Sequence, residues 1–455
     1  IGGFMDLTYR KKNFYEEADK REIKECFEFA EGYKKFLDVA KTEREACEKI
    51  VEMAKEAGFK EYKFGDKILP HEKRYFVNRG KSVVLFRVNE KLENGLRILG
   101  AHIDSPRIDL KANPIYEDNG FCFLKTHYYG GIKKYQWTTV PLSLHGVVIR
   151  RDGTRVEINI GEKEDEPIFY INDLLPHLGK AQMTKTGDKI ISGEQLNLVF
   201  GGMPSDDRDV KEKIKQNVLK ILNEKYNITE EDFLSAELSA VPTMKARDVG
   251  IDRVFVAGYG HDDRSCAYPA VKALFEASDN SMAILVDKEE IGSEGTTGMK
   301  CKVYEDLLEE ICKNFKANTR LVRANSKCLS ADVGACYDPN FAEVFDARNS
   351  AIISNGITIN KFTGAGGKSA GSDASAELVG IVRKIFADNN ITWQTAELGK
   401  VDVGGGGTIA KFLASLNIDT LDVGVPVISM HAPYELISKA DLYSTYLAFK
   451  AFVCE

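Results

Sequence analysis

The stretch AILVDKEEIGSEG, residues 283–295, runs an apolar segment straight into a carboxylate pair, and its reading decides the fold. Ala283, Ile284, Leu285 and Val286 read as a buried strand. Asp287, Lys288, Glu289 and Glu290 follow at once, with glycines at 292 and 295. Carboxylates are costly to bury without a partner. Ligands of open α/β sheets bind beyond the carboxyl ends of strands. The Glu289-Glu290 pair is therefore expected at a strand end, where neighbouring side chains diverge.

Working outward, the chain from about 249 onward has the same texture. Apolar strands (SMAILVD, IDTLDVGV) alternate with helical stretches (YEDLLEEICKNF, DASAELVGIVRKIFADN, LYSTYLAFKAF). Such alternation argues for a mixed or parallel sheet covered by helices. SVVLFRV (82–88) and GLRILGAHI (95–103) read as strands, and NEKLENG between them predicts a hairpin-like connection. Residues 15–58 read as helical, with a capping box at Thr42 to Glu45 and a stop at Gly58. Residues 108–248 differ: stretches such as LSLHGVVIRRDGTRVEINIG alternate apolar and polar residues, with Gly and Asp at turns, around one helical stretch at 209–226. The expected fold class is α/β. A mixed-sheet unit covered by helices (5–107 and 249–455) is split by an inserted β-rich unit (108–248).

The chain's 455 residues suit two domains. Its 43% apolar and 29% charged content is that of an ordinary globular protein. A net charge of −7 and the lack of a basic stripe argue against a nucleic-acid partner. Nine cysteines without a CxxC pair predict reduced, mostly buried thiols and a cytoplasmic location. No signal peptide is read at the N-terminus, Met5 is expected to be the native start, and no run approaches the ~18 apolar residues of a membrane span.

Five polar clusters fall at strand ends or strand-helix turns. GAHIDSPR carries His102 and Asp104, and GYGHDDRSCAY carries Asp262 and Asp263. DKEE carries the glutamate pair, LSADVGA carries Asp332, and VISMHAPYE carries His431. Each alone has a bland reading as a satisfied polar residue, a solvated acid pair or a helix cap. Together they form a His/Asp/Glu set suited to divalent metals, with imidazole favouring zinc and carboxylates able to bridge. Other motifs fail on context. GKSAG (367–371) matches GxSxG but does not directly follow an apolar strand. GAGGKS (364–369) lacks the first glycine of a phosphate loop, since Phe362 stands there. The glycines of DVGGGGTIAKF (402–412) are expected to open a helix whose N–H groups could hold an oxyanion. No HExxH helix occurs.

With AHIDSPR, GHDDR, DKEEIGSEG, SADVG and SMHAPYE in this order, nearly the whole chain resembles the aspartyl aminopeptidase / vacuolar aminopeptidase I family of dinuclear metallopeptidases. The resemblance implies an α/β catalytic domain with an inserted β-rich domain, an aminopeptidase acting on peptides, and a homo-dodecamer. It implies two divalent metals, zinc with cobalt or manganese as alternatives. His102 and Asp332 would bind one and His431 and Glu290 the other, with Asp262 bridging. Glu289 would be the general base, Asp104 would orient His102, and His177 would be donated to a neighbouring subunit's site. In the acid-specific branch a lysine near GITIN (356–360) reads the substrate carboxylate; Asn360 holds that position here, with Lys361 one later, which argues against strict acid specificity, and the likeness of GKVDVGGGGTIAKFLASLNIDTLDVGVPVISMHAPYE to the vacuolar branch favours neutral over acidic N-terminal residues, such as leucine. The alternatives are a dimetal deacylase or carboxypeptidase, and a non-catalytic binding scaffold.

Overall fold

A computed structural model describes residues 7–207, 209–278 and 280–455; Met5 and the expected start of the first segment lie outside them. The main element is a nine-stranded mixed sheet. Its order is Lys60–Glu61, Lys73–Asn78, Ser82–Arg87, Ser281–Val286, Arg97–His102, Lys327–Ala331, Asp419–Gly424, Ile357–Asn360 and Trp393–Thr395. The four strands from Ser281–Val286 to Asp419–Gly424 run parallel to one another. Their carboxyl ends therefore share one edge, and His102, Asp287 and Asp332 stand on it.

Both faces of this sheet are covered, which explains its continuous apolar strands. Leu99, Ala101, Ala283 and Leu285 pack on one side with residues of the helices Lys20–Val39, Glu43–Glu56, His261–Phe275 and Lys439–Cys454. Ile98, Met282, Ile284 and Val286 pack on the other with the helix Val303–Asn314. The helix Glu43–Glu56 starts at the capping box read from the sequence. The expected hairpin across NEKLENG does not form. Ser82–Arg87 pairs with Lys73–Asn78 and with Ser281–Val286, which lies between it and Arg97–His102. Both flanking strands are apolar on both faces, so each can bury two neighbours, and local sequence does not say which.

Residues 107–242 contribute a seven-stranded sheet. All its neighbouring strands are antiparallel. It has its own core, with Ile108, Leu124, Trp137, Leu144 and Phe233 buried. A helix packs on that core, but starts at Lys213 rather than 209. Glu117 sets that start: its Oε2 accepts from the amides of Ile214 at 2.7 Å and Lys215 at 3.0 Å. Ion pairs join this sheet to the larger one, including Arg107 to Glu43 at 3.0 Å and Lys81 to Glu237 at 2.9 Å. The cysteines are all free, and all but Cys301 and Cys454 are buried. Among the described residues no helix is long and apolar enough to cross a membrane.

Candidate metal centre

His102 is the last residue of a central strand and is 1% exposed. Its Nδ1 lies 3.0 Å from the backbone oxygen of Asp104 and 3.2 Å from Asp104 Oδ1. Its Nε2 thus points away from Asp104, toward the other acids. Asp104 does more than face this ring. Its carboxylate accepts the hydroxyl of Tyr129 at 2.8 Å and the amides of Glu289 and Glu290 at 3.2 Å each.

Those last two bonds answer what the glutamate pair is doing. The strand stops at Val286, and Lys288 turns back at φ 66°. Glu289–Ile291 form one tight 3-10 turn, closed by Gly292 at φ 95°. The side chains do not diverge from a strand, as the sequence suggested. They project from a turn whose amides rest on the aspartate that also holds His102.

The other groups arrive from three further turns. Asp262 lies in the extended kink at the start of the helix His261–Phe275, two residues after Gly260, where φ is 81° and a Cβ would come 2.1 Å from Arg264 Nη1. Asp332 directly follows the strand Lys327–Ala331. His431 has φ 66°, and its Nδ1 lies 2.7 Å from the oxygen of Gly131. A proton on that Nδ1 leaves Nε2 as the acceptor. Asp262 stands between the histidines, with Oδ1 3.1 Å from His102 Nε2 and Oδ2 3.0 Å from His431 Nε2. Asp332 Oδ1 is 3.7 Å from His102 Nε2, and Glu290 Oε2 is 3.4 Å from His431 Nε2. Glu289 Oε2 is 3.9 Å from His102 Nε2. Three triads of donor atoms lie within 4.8 Å of one another, His102-Glu289-Asp332, His102-Asp262-Glu290 and Asp262-Asp263-Asp332, none of them including His431.

The electrostatics follow from crowding acids in a buried site. Burial would push His102 down, but the carboxylates of Asp104, Asp262 and Asp332 outweigh it and raise it well above its usual range. Burial opposes His431 likewise, and Asp262 and Glu290 carry it up to about 10. Burial, then the charge of Asp332, pushes Glu289 up to about 8. Burial and the Asp262 charge raise Glu290 well above the carboxylate range. Asp262 goes the other way, because the two histidines outweigh its burial.

His102 Nε2, Asp262 Oδ1, Asp263 Oδ1 and Glu290 Oε1 are buried without a hydrogen-bond partner. Buried polar atoms are normally paired, and an unpaired one costs about 1–3 kcal/mol. Several acceptors and an imidazole left unsaturated around one spot fit divalent cations, and the imidazole-carboxylate donor set suits zinc.

Three groups here, Glu435, Tyr129 and Gly131, were not singled out in the sequence. Glu435 is 1% exposed, and its two oxygens accept the amides of His431 at 2.7 Å and Asp262 at 3.1 Å. Asp263, read with Asp262 from the sequence, accepts the amide of His102 at 3.2 Å. Tyr129 and Gly131 come from the antiparallel sheet, where the Gly-Gly run after a strand was the one available hint.

A cavity of about 560 Å³ opens on Asp262, Glu289, Glu290, Asp332 and His431. Asn360, Phe362 and the glycines 404–407 line it further out. Asn360 Oδ1 is buried there without a partner. The 402–407 glycines do not open a helix, which starts at Ala410. They form a small ribbon instead, with Gly405–Gly406 paired to Gly364–Ala365. Ser369 of GKSAG bonds through its backbone to Ala365 in the same loop, far from a strand-to-helix elbow. His177 is exposed in a turn of the β-rich unit and does not line this cavity.

Residues 36–453 match the family model described as aminopeptidase I zinc metalloprotease (M18). A curated relative from Clostridium acetobutylicum, a probable M18 family aminopeptidase 1, is 46% identical over 98% of this chain and 99% of its own length. The crystal structure of an M18 aminopeptidase from Thermotoga maritima superposes with a TM-score of 0.94 at 43% identity, covering 98% of this chain and 100% of that one. A yeast mApe1 dodecamer from S. cerevisiae shares the fold at a TM-score of 0.75 and 22% identity, over 93% of this chain and 95% of that one.

Proposed function

Because the chain belongs to the aminopeptidase I zinc metalloprotease family, M18, and is a metallo-aminopeptidase, we propose that it cleaves N-terminal residues with two divalent cations at the acid-histidine cluster. His102 and Asp332 would hold one, His431 and Glu290 the other, and Asp262, between the two histidines, would serve both. The observation that carries this is the set of buried unpaired donors, His102 Nε2, Asp262 Oδ1 and Glu290 Oε1, aimed into one cluster. Zinc is the family's metal, and the donor set would also accept cobalt or manganese.

Bound there, the two cations supply Lewis acidity, polarising the scissile carbonyl and acidifying a water. The chain supplies the rest. Glu289 is held by its amide on Asp104, and its side chain lines the cavity beside His102. It takes the proton from the water and delivers it to the leaving nitrogen. Asp104 fixes the His102 ring by Nδ1. The carboxylates lining the cavity favour a free substrate amine, which would make the enzyme an exopeptidase.

Neutral N-terminal residues such as leucine are the proposed substrates. Asn360, an amide rather than a cation, ends the strand Ile357–Asn360 inside the cavity. Residues 108–248 are assigned as an inserted domain for assembly and substrate access. Leu174, Leu175, Leu178 and Met183 are exposed around His177, which supports a further subunit covering them in a dodecamer like the yeast relative's. The unpaired thiols support a cytoplasmic location.

The test measures release from unblocked and N-blocked aminoacyl substrates before and after chelation, with metal added back. Activity is expected on free amines only, lost on chelation and restored by zinc. Equal hydrolysis of blocked substrates, or activity surviving complete metal removal, sinks the proposal. A panel of Asp, Glu, Leu and Lys N-termini checks the preference.

A further inference from the structure

The strand Phe121–Tyr129 of the antiparallel sheet ends in the corner Tyr129-Gly130-Gly131, and this corner reaches both sides of the cluster. The Tyr129 hydroxyl donates to Asp104 Oδ2 at 2.8 Å, and Asp104 holds His102 Nδ1 at 3.2 Å. Two residues on, the oxygen of Gly131 lies 2.7 Å from His431 Nδ1. Gly130 sits between them at φ 77°, where a Cβ would come within 3.4 Å of Glu290 Oε2 and 3.3 Å of Pro106. The corner therefore packs closely against Glu290 and Pro106 between its two hydrogen-bonding ends.

Its own position is fixed from both units. The Arg107 guanidinium stacks 3.9 Å from the centre of the Tyr129 ring. Arg107 bonds Asp109 within its own strand at 2.8 Å and Glu43 of the helix Glu43–Glu56 at 3.0 Å. An imidazole gripped at its second nitrogen presents the first in one tautomer and one orientation. Here both grips trace to three consecutive residues of the β-rich sheet, one through a carboxylate and one directly.

We infer that the 129–131 corner is a positioning element for the two metal stations: Tyr129 sets the His102 station through Asp104, and Gly131 sets the His431 ring. This rests on the reading that the cluster holds two cations. It gives the β-rich sheet a part in the chemistry of its own chain, apart from assembly or access.

The full-length protein and its Tyr129→Phe variant are crystallised and equilibrated at graded free zinc. The occupancy of each station is then refined from anomalous scattering, alongside chelator competition in solution. In Tyr129→Phe, zinc affinity is expected to fall about 10–100-fold at the His102 station and clearly less at the His431 station, which Asp104 reaches only through the Glu290 amide. Gly130→Ala keeps the hydroxyl but presses a methyl on Glu290, so its loss is expected at the His431 station. A wild type with no zinc at these residues overturns the metal reading itself. Two wild-type zinc stations with both unchanged in Tyr129→Phe overturn the inference alone. An equal loss at both stations in Tyr129→Phe marks general loosening and also overturns it. Should Tyr129→Phe fail to fold, Gly130→Ala decides, and unaltered affinity at the His431 station counts against the inference.

Discussion

His102 and His145 look alike by every coarse measure. Each is 1% exposed, each faces carboxylates, and each is raised in basicity against the pull of burial. They differ in what is left over. His145 sits on the seam between the two units, with Nδ1 2.7 Å from Glu45 and Nε2 3.0 Å from Ser143 and 3.1 Å from Glu162. Glu162 is further satisfied by Lys245 at 2.6 Å. That network closes on itself. Around His102, the imidazole Nε2 and one oxygen each of Asp262, Asp263 and Glu290 have no hydrogen bond. Burial and basicity do not separate a structural ion pair from a ligand set; unspent coordination does.

The largest effect that could break this contrast is on turnover. Glu289→Gln is expected to lower kcat by about 10²–10⁴-fold with zinc content intact, measured by steady-state kinetics and metal analysis. Loss of zinc would make Glu289 a ligand and move it to the other side of the comparison. Next comes stability on metal loading. Zinc at about 1,000 times its Kd should stabilise the fold by about 4 kcal/mol over the chelated protein, read from denaturant unfolding. No difference would leave the unpaired atoms around His102 without the occupant argued for them.

His145→Gln should do the reverse of a ligand change. It is expected to cost about 1–3 kcal/mol of stability while kcat and zinc content stay put. A fall in zinc content would erase the distinction.

The smallest effect is the pH profile of the seam. Burial pushes Glu162 up, but His145, Lys41 and Lys245 outweigh it and hold it at about 2. Its contribution is present above the unfolded value near ~4.5 and lost as pH falls toward about 2. His145 is raised by Glu162 and Glu45 against burial, so its contribution is full below ~6.5 and lost as pH rises through its higher folded value. The seam should be firmest between about pH 4.5 and 6.5. Thermal midpoints of wild type minus Glu162→Gln across pH 3–9 should show both limbs, and a flat difference would refute the linkage.

How much of this could be read from sequence follows the range of the interactions. The strand leading to His102 and the one leading to Glu289 were legible because an apolar run is a local signal. The clustered acids were legible because each hangs on the end of such a run. The order of strands was not: Ser281–Val286 inserts beside Ser82–Arg87 from almost two hundred positions away, so the nearer partner was the natural and mistaken choice. Glu435 gave no signal, since a single acid four residues past His431 is common on any surface. Tyr129 was silent for the same reason. The tight turn at Glu289–Ile291 depends on Asp104, a contact that no local pattern encodes.

The parallel strands at the centre of the large sheet also bear on when the protein becomes a peptidase. The five segments around the cluster enter at 102, 262, 289, 332 and 431, so the cluster cannot assemble before His431 has been made. A chain that stops short of His431 lacks part of the proposed stations. On the proposed reading, a nascent chain is inert as a peptidase until the segment bearing His431 has emerged and docked.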